Sequence, residues 1–105
     1  MDASAKQVAA IVGPRIRRTR RRLDMSQEAL AENAEIHRTQ MTGIEWGERL
    51  PRIDTLIKLA GGLGVSPSEL LDGIVWEVRG SRPGRMVEID DDGDELGQHP
   101  DRRRM

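Results

Sequence analysis

The 105-residue chain contains no cysteine, so neither a disulfide framework nor a thiolate metal site can form. It has two histidines, His37 and His99, far apart in sequence, and no paired-carboxylate, phosphate-loop or metal-ligand spacing. These absences argue against an enzyme and against a bound metal or cofactor. No apolar run approaches the roughly 20 residues that span a bilayer. The stretch Met1-Asp2-Ala3-Ser4-Ala5-Lys6 lacks the basic start and long apolar core of a secretion signal. A cytoplasmic protein without a membrane partner is the expectation.

What is present is charge, and it is segregated. The formal net charge is −1, yet residues 1–60 carry 11 Lys/Arg against 8 Asp/Glu, while residues 61–105 carry 6 against 10. Six of the eight residues from Arg15 to Arg22 are arginine, too many for one helical face. Some must therefore be paired while others face solvent or phosphate. The front half is the candidate anion-binding half.

Between Ser26 and Gly47 two short apolar-periodic segments hinge at Ala34-Glu35-Ile36, with small Ala31 one turn before the hinge. Ser26 is a good N-cap, and Gln27 and Glu28 suit the positive end of the helix dipole. In the second segment Met41 and Ile44 repeat at helical spacing, with Arg38, Thr39 and Gln40 in its first turn and Gly47 at its end. A helix with a polar, cationic, donor-rich start is what reading a major groove requires.

Around this pair the coarse pattern predicts a helix 1 that begins near Gly13-Pro14 and turns Val12, Ile16 and Leu23 inward. Residues 1–12 form an arm or an extension of it. Helices over Gln27–Asn33, Arg38–Trp46 and Asp54–Leu63 follow, the last burying Leu56, Leu59, Ala60 and Leu63 and capped by Gly64. A fifth helix starts with Ser66, Pro67 and Glu69 as a capping box, with Leu70 and Leu71 packing back on the core. The expected fold is all-α, five helices over residues 13–72. A module of this size is near the lower limit of what folds without metals or disulfides, so oligomerisation would help it. After Asp72-Gly73 the pattern alternates. Ile74–Arg79 and Arg85–Ile89 flank a five-residue loop and predict a β-hairpin over residues 73–89. A lone hairpin needs a partner, the helical domain or a second subunit, and dimerisation is the favoured alternative. The charged segment 90–105 is expected to be disordered, a solubilising tail or a DNA-mimicking, autoinhibitory one.

From Val12 to Leu71 the chain resembles the lambda-repressor-like, Xre-type helix-turn-helix family. The resemblance rests on Arg20-Arg21-Arg22-Leu23, Met25-Ser26-Gln27-Glu28-Ala29-Leu30-Ala31, the run from Arg38 to Arg49, Thr55-Leu56-Ile57-Lys58-Leu59-Ala60, and Leu63-Gly64-Val65-Ser66-Pro67-Ser68-Glu69-Leu70-Leu71. It implies that Arg20 and Glu45 form a structural ion pair across helices 1 and 3, and that Gln27 meets the DNA backbone or buttresses helix 3. Glu35 stands where the family favours glycine with positive φ, and Gly43 where a long polar side chain is common. Trp46 is expected to pack on the following loop, or to line a subunit contact.

The base-reading candidates are Arg38, which can fork onto guanine O6 and N7, Thr39 and Gln40, which can meet adenine edges or a thymine methyl, and His37, placed to cap helix 3. Ser26 and Gln27 at the start of helix 2, together with Arg49 and Arg52 after helix 3, are the candidate contacts to the DNA backbone. The expected protein is a sequence-specific transcriptional regulator, a dimeric repressor on a pseudo-palindromic operator in double-stranded DNA. Two alternatives stand beside it. One is the antitoxin of a toxin–antitoxin pair or a restriction–modification controller, with a toxin as the antitoxin's protein partner. The other is a protein-interaction module using the acidic C-terminal half.

Overall fold

The first helix starts ten residues before the Gly13-Pro14 pair that was expected to begin it. In the computed structural model, which describes residues 1–96, α1 runs unbroken over Ala3–Arg22. Asp2 caps it, its Oδ1 accepting from the Ala5 N–H (2.9 Å) and the Ser4 hydroxyl (2.8 Å). Pro14 lies inside this helix, where a missing N–H and a ring clash normally cost stability. The helix persists because Ala9 and Val12, before the proline, are buried on the same face as Ile16 and Arg20 after it. Leu23, expected to face inward, is instead the exposed C-cap.

Four shorter helices follow: α2 (Gln27–Ala34), α3 (Arg38–Glu45), α4 (Ile53–Leu63) and α5 (Pro67–Leu71). They complete a helical unit, Met1–Asp72. The Ser26 hydroxyl accepts from the Ala29 N–H at 3.0 Å and starts α2. Glu35 ends it in the left-handed region (φ 56°, ψ 47°), and the Ile36 N–H returns to the Ala31 carbonyl at 3.0 Å. A side chain in this conformation costs on the order of 1 kcal/mol. The tight α2–α3 turn thus forms around a glutamate held in the left-handed conformation.

α2 packs on both α3 and α4, while α1 packs on α3, α4 and α5. Ile16, Leu30, Met41, Ile44, Leu59 and Leu70 fill the space between them. Leu56, Leu59, Ala60 and Leu63 are buried along α4, and Gly64 closes it at φ 77°. The capping box expected at α5 does not form: the Ser66 hydroxyl pairs with that of Ser68 (2.8 Å), and the Glu69 N–H goes to the Ser66 carbonyl (3.0 Å). Leu70 is buried, but Leu71 is partly exposed.

The second unit begins at Gly73. Strands β1 (Ile74–Arg79) and β2 (Arg82–Glu88) pair antiparallel, with Trp76 opposite Met86 and Glu77 opposite Arg85. The connection is tighter than the five residues expected. Arg79 already pairs with Arg82, which leaves Gly80 and Ser81 as the turn, with Gly80 at φ 66°. The slack is taken up by an irregularity that sets Pro83 and Gly84 against Val78 alone. The acidic run opens the segment expected to be a disordered tail. Asp90 Oδ1 accepts from the N–H groups of Asp92 (2.8 Å) and Asp94 (2.9 Å), folding the run into a turn whose Glu95 pairs with Arg85 (3.1 Å). The rest of that expected tail, residues 97–105 with His99, lies outside the described residues.

Candidate nucleic-acid interface

A helix can read DNA only if its outer face is held at a fixed angle, and here one buried carboxylate ties three helices together. Arg20 of α1 forks onto Glu45 of α3, Nε to Oε2 at 2.6 Å and Nη2 to Oε1 at 2.9 Å, with the Glu45 side chain wholly buried. The hydrogen bond to Glu45 raises the guanidinium pKa above its ordinary value, more than burial lowers it. Arg20 Nη1 also donates to the Met25 carbonyl (2.8 Å), which fixes the α1–α2 connection. Gln27 of α2 completes the knot, its Nε2 donating to Glu45 Oε1 at 2.9 Å and its Oε1 accepting from the Thr42 hydroxyl at 3.4 Å. The Gln27 amide therefore buttresses α3. Thr42, which sequence reasoning missed, also bonds back to the Arg38 carbonyl (3.1 Å).

Held this way, α3 presents its first turn outward. His37, Arg38 and Thr39 are exposed and Gln40 is half-buried, with Met41, Ile44 and Glu45 on the inner face. His37 is the N-cap residue, but its side chain makes no capping hydrogen bond, contrary to expectation. The first-turn N–H groups of α3 thus have no side-chain acceptor from the cap. Arg38 is not free either. Its Nη1 lies 2.9 Å from Glu28 Oε1 of α2, both side chains more than 60% exposed (65% and 61%). This pair is too wet to add much stability. The sequence signal for Glu28 was only its place in the first turn of α2, which reveals nothing of its partner.

The backbone-contact candidates divide. Ser26 is used as a cap. Arg49 lies over Gly43, where a Cβ on the glycine would stand 3.6 Å from Arg49 Cβ and 3.8 Å from its Nε. The missing side chain on α3 is thus the space that Arg49 crosses. Arg52, the N-cap residue of α4, pairs loosely with Asp54 at 3.3 Å. Trp46 does not pack on the loop: it is 62% exposed, and the Arg17 guanidinium stacks 4.8 Å above its ring. Among the described residues no group of histidine, aspartate and glutamate side chains could hold a metal, and no helix is long and apolar enough to cross a membrane.

Two short helices joined by a tight turn, with the second locked by its inner face and open along its first turn, define a helix-turn-helix DNA-binding regulator. The chain belongs to the lambda-repressor-like, Xre-type helix-turn-helix family, whose helix-turn-helix model matches residues 16–70. It is 38% identical over 66 residues to the control protein C.BamHI of Bacillus amyloliquefaciens, covering 62% of this chain and 82% of that protein. Among solved structures it is similar to the restriction-modification controller C.AhdI of Aeromonas hydrophila, with a TM-score of 0.58 and 34% identity over 59% of this chain and 94% of that one. It is similar also to the P22 c2 repressor bound to a synthetic operator, with a TM-score of 0.56 and 32% identity over 60% of this chain and 96% of the other.

Proposed function

We propose that the chain is a sequence-specific transcriptional repressor that binds a pseudo-palindromic operator as a dimer, one α3 in each of two successive major grooves about 34–36 Å apart. The observation that carries this reading is the outward first turn of α3, with Arg38 and Thr39 exposed on a helix pinned from behind by Arg20, Glu45 and Gln27. Arg38 is the guanine reader, Thr39, Gln40 and His37 are the further base contacts, and Arg49, Arg52 and the start of α2 with Ser26 grip phosphates. Arg38→Ala should weaken operator binding on the order of 10- to 100-fold while sparing random duplex. Arg49→Ala should weaken both alike and lower the salt slope by about 1. Equal losses on operator and random DNA for Arg38→Ala, in a fluorescence anisotropy titration after selecting the operator from a random pool, would remove Arg38 as a reader.

Two copies are supported by apolar surface on the helical unit. Ile53 is 74% exposed beside a cavity of about 180 Å³ lined by Val8, Val12, Leu50 and Leu71, and Ile57 continues this surface one turn along α4. Covering it with the same surface of a second copy removes it from water. Ile57→Glu, at an exposed position, is expected to weaken self-association at least roughly tenfold by sedimentation, with the helical circular-dichroism spectrum of the folded protein unchanged. An unaltered association constant counts against this face. A second reading, control of a restriction–modification operon, is favoured by the similarity to C.BamHI and C.AhdI. It differs from the first in the genes beside the operator and not in the contacts.

A further inference from the structure

The two strands of the hairpin are protected unequally. β2 carries the devices that keep a strand edge from pairing: Pro83, which has no N–H to donate, the irregularity at Pro83 and Gly84, and the cationic Arg82 and Arg85. Its far end is also occupied, since the Leu96 N–H bonds the Glu88 carbonyl (2.7 Å) and Ile89 bridges to Glu95. β1 has no proline, lysine or inserted residue between Ile74 and Arg79. One of its edges pairs with β2, and among the described residues no strand pairs with the other. One face of this open strand is apolar throughout, Ile74, Trp76 and Val78, with Trp76 52% and Val78 78% exposed.

We infer that the open edge of β1 pairs antiparallel with the same edge of a second copy, Trp76 opposite Trp76, to make a four-stranded sheet. The register follows from symmetry and charge. A twofold axis normal to the sheet keeps every side chain on its own face, so only residues an even number of positions apart, or the same residue, can oppose. Centring the axis on Glu77 sets two carboxylates against each other, which is unfavourable. Centring it on Val75 leaves Val78 without a strand residue opposite. Centring it on Trp76 sets Ile74 against Val78 twice and Trp76 against its copy, so the whole apolar face is matched. In that register Glu77 opposes Val75, and its charge is already met by Arg85 at 3.1 Å, which also lowers the Glu77 pKa. Four strands supply the stability that a two-stranded hairpin lacks. This contact adds to the paired-regulator reading without resting on its DNA contacts, and it lies in a different unit from the α4 face.

The absence of cysteine makes the register directly measurable. Full-length Ile74→Cys protein is mixed with full-length Val78→Cys protein and oxidised with copper phenanthroline. Opposition of these positions predicts a disulfide-linked mixed dimer at several times the yield of either variant oxidised alone. A mixed yield no greater than the single-variant yields overturns the inference. In the uncut chain, Val78→Lys at this exposed position is expected to weaken self-association at least tenfold by sedimentation, and an unchanged constant overturns it equally. Binding of each variant to a single operator half-site, measured alongside, reports separately on the DNA reading.

Discussion

Glu45→Ala lowers the stability of the helical unit by about 3–5 kcal/mol, the cost of leaving a buried charge without its partner. Arg20, 9% exposed, keeps its charge but loses both arms of its fork, and the Gln27 amide loses its acceptor at the same time. A unit of about 70 residues commands roughly 4–11 kcal/mol in all, so much of its margin goes. Urea unfolding followed by circular dichroism should show the midpoint fall with little change in slope. The companion variant separates pairing from packing. Arg20→Met with Glu45→Leu removes both charges and fills similar volume, and such replacements of a buried pair are commonly neutral or stabilising. The double variant is therefore expected to recover most of what Glu45→Ala loses, with the Met25 carbonyl and Gln27 amide turning to water at the edge of the site. A double variant as unstable as the single one would show that the carboxylate does something other than answer Arg20. Recovered stability with weakened operator binding would show that the pair holds the angle of α3 as well as the fold.

The parts of this molecule that were legible in the sequence are those governed by local periodicity. Ser26 before an apolar repeat marks the start of α2, and Leu56, Leu59, Ala60 and Leu63 mark the buried face of α4 because helical spacing alone sets which residues share a side. Gly13-Pro14 misled because a proline signal is local, whereas the burial of Ala9 and Val12 against the rest of the unit is not. The capping box at Ser66 failed for a local reason instead: the Ser68 hydroxyl competes for the cap within two residues. In the candidate interface the place of Arg38 in the exposed first turn of α3 could be read from the sequence, but its pairing with Glu28 could not. That contact joins two helices across a turn, and its geometry depends on the crossing angle that Arg20, Gln27 and Glu45 maintain. Gly43 was legible as a gap, and only the three-dimensional path of the loop shows that Arg49 crosses it.

Gly13→Ala should destabilise the helical unit even though alanine is the better helix former by about 0.8–1 kcal/mol. An ideal Cβ at residue 13 stands 2.3 Å from the Ile44 carbonyl oxygen, 3.0 Å from the Gly47 nitrogen and 3.1 Å from the Glu45 carbonyl oxygen. All three are backbone atoms at the end of α3, so no side chain can swing away. Gly47 faces the same contact from the other side, at φ 74° with the Ala9 carbonyl oxygen 3.2 Å from where its own Cβ would be. The two helices therefore touch backbone to backbone, and a methyl group must push the end of α3 off α1, toward breaking the Arg20–Glu45 fork two turns along. Overpacking of this kind costs about 1–3 kcal/mol and more where the obstacle is rigid, which exceeds the propensity gain. At 4–8 °C per kcal/mol, a net loss near 2 kcal/mol lowers the melting temperature by about 8 °C or more. Gly61 supplies the internal control, because its Cβ would meet nothing within 4 Å on an exposed position of α4. There the same substitution should raise stability by about 0.8–1 kcal/mol. Melting curves that move in opposite directions separate close approach from helix propensity, and a rise for both would mean that α1 and α3 do not meet as tightly as the placement of Glu45 requires.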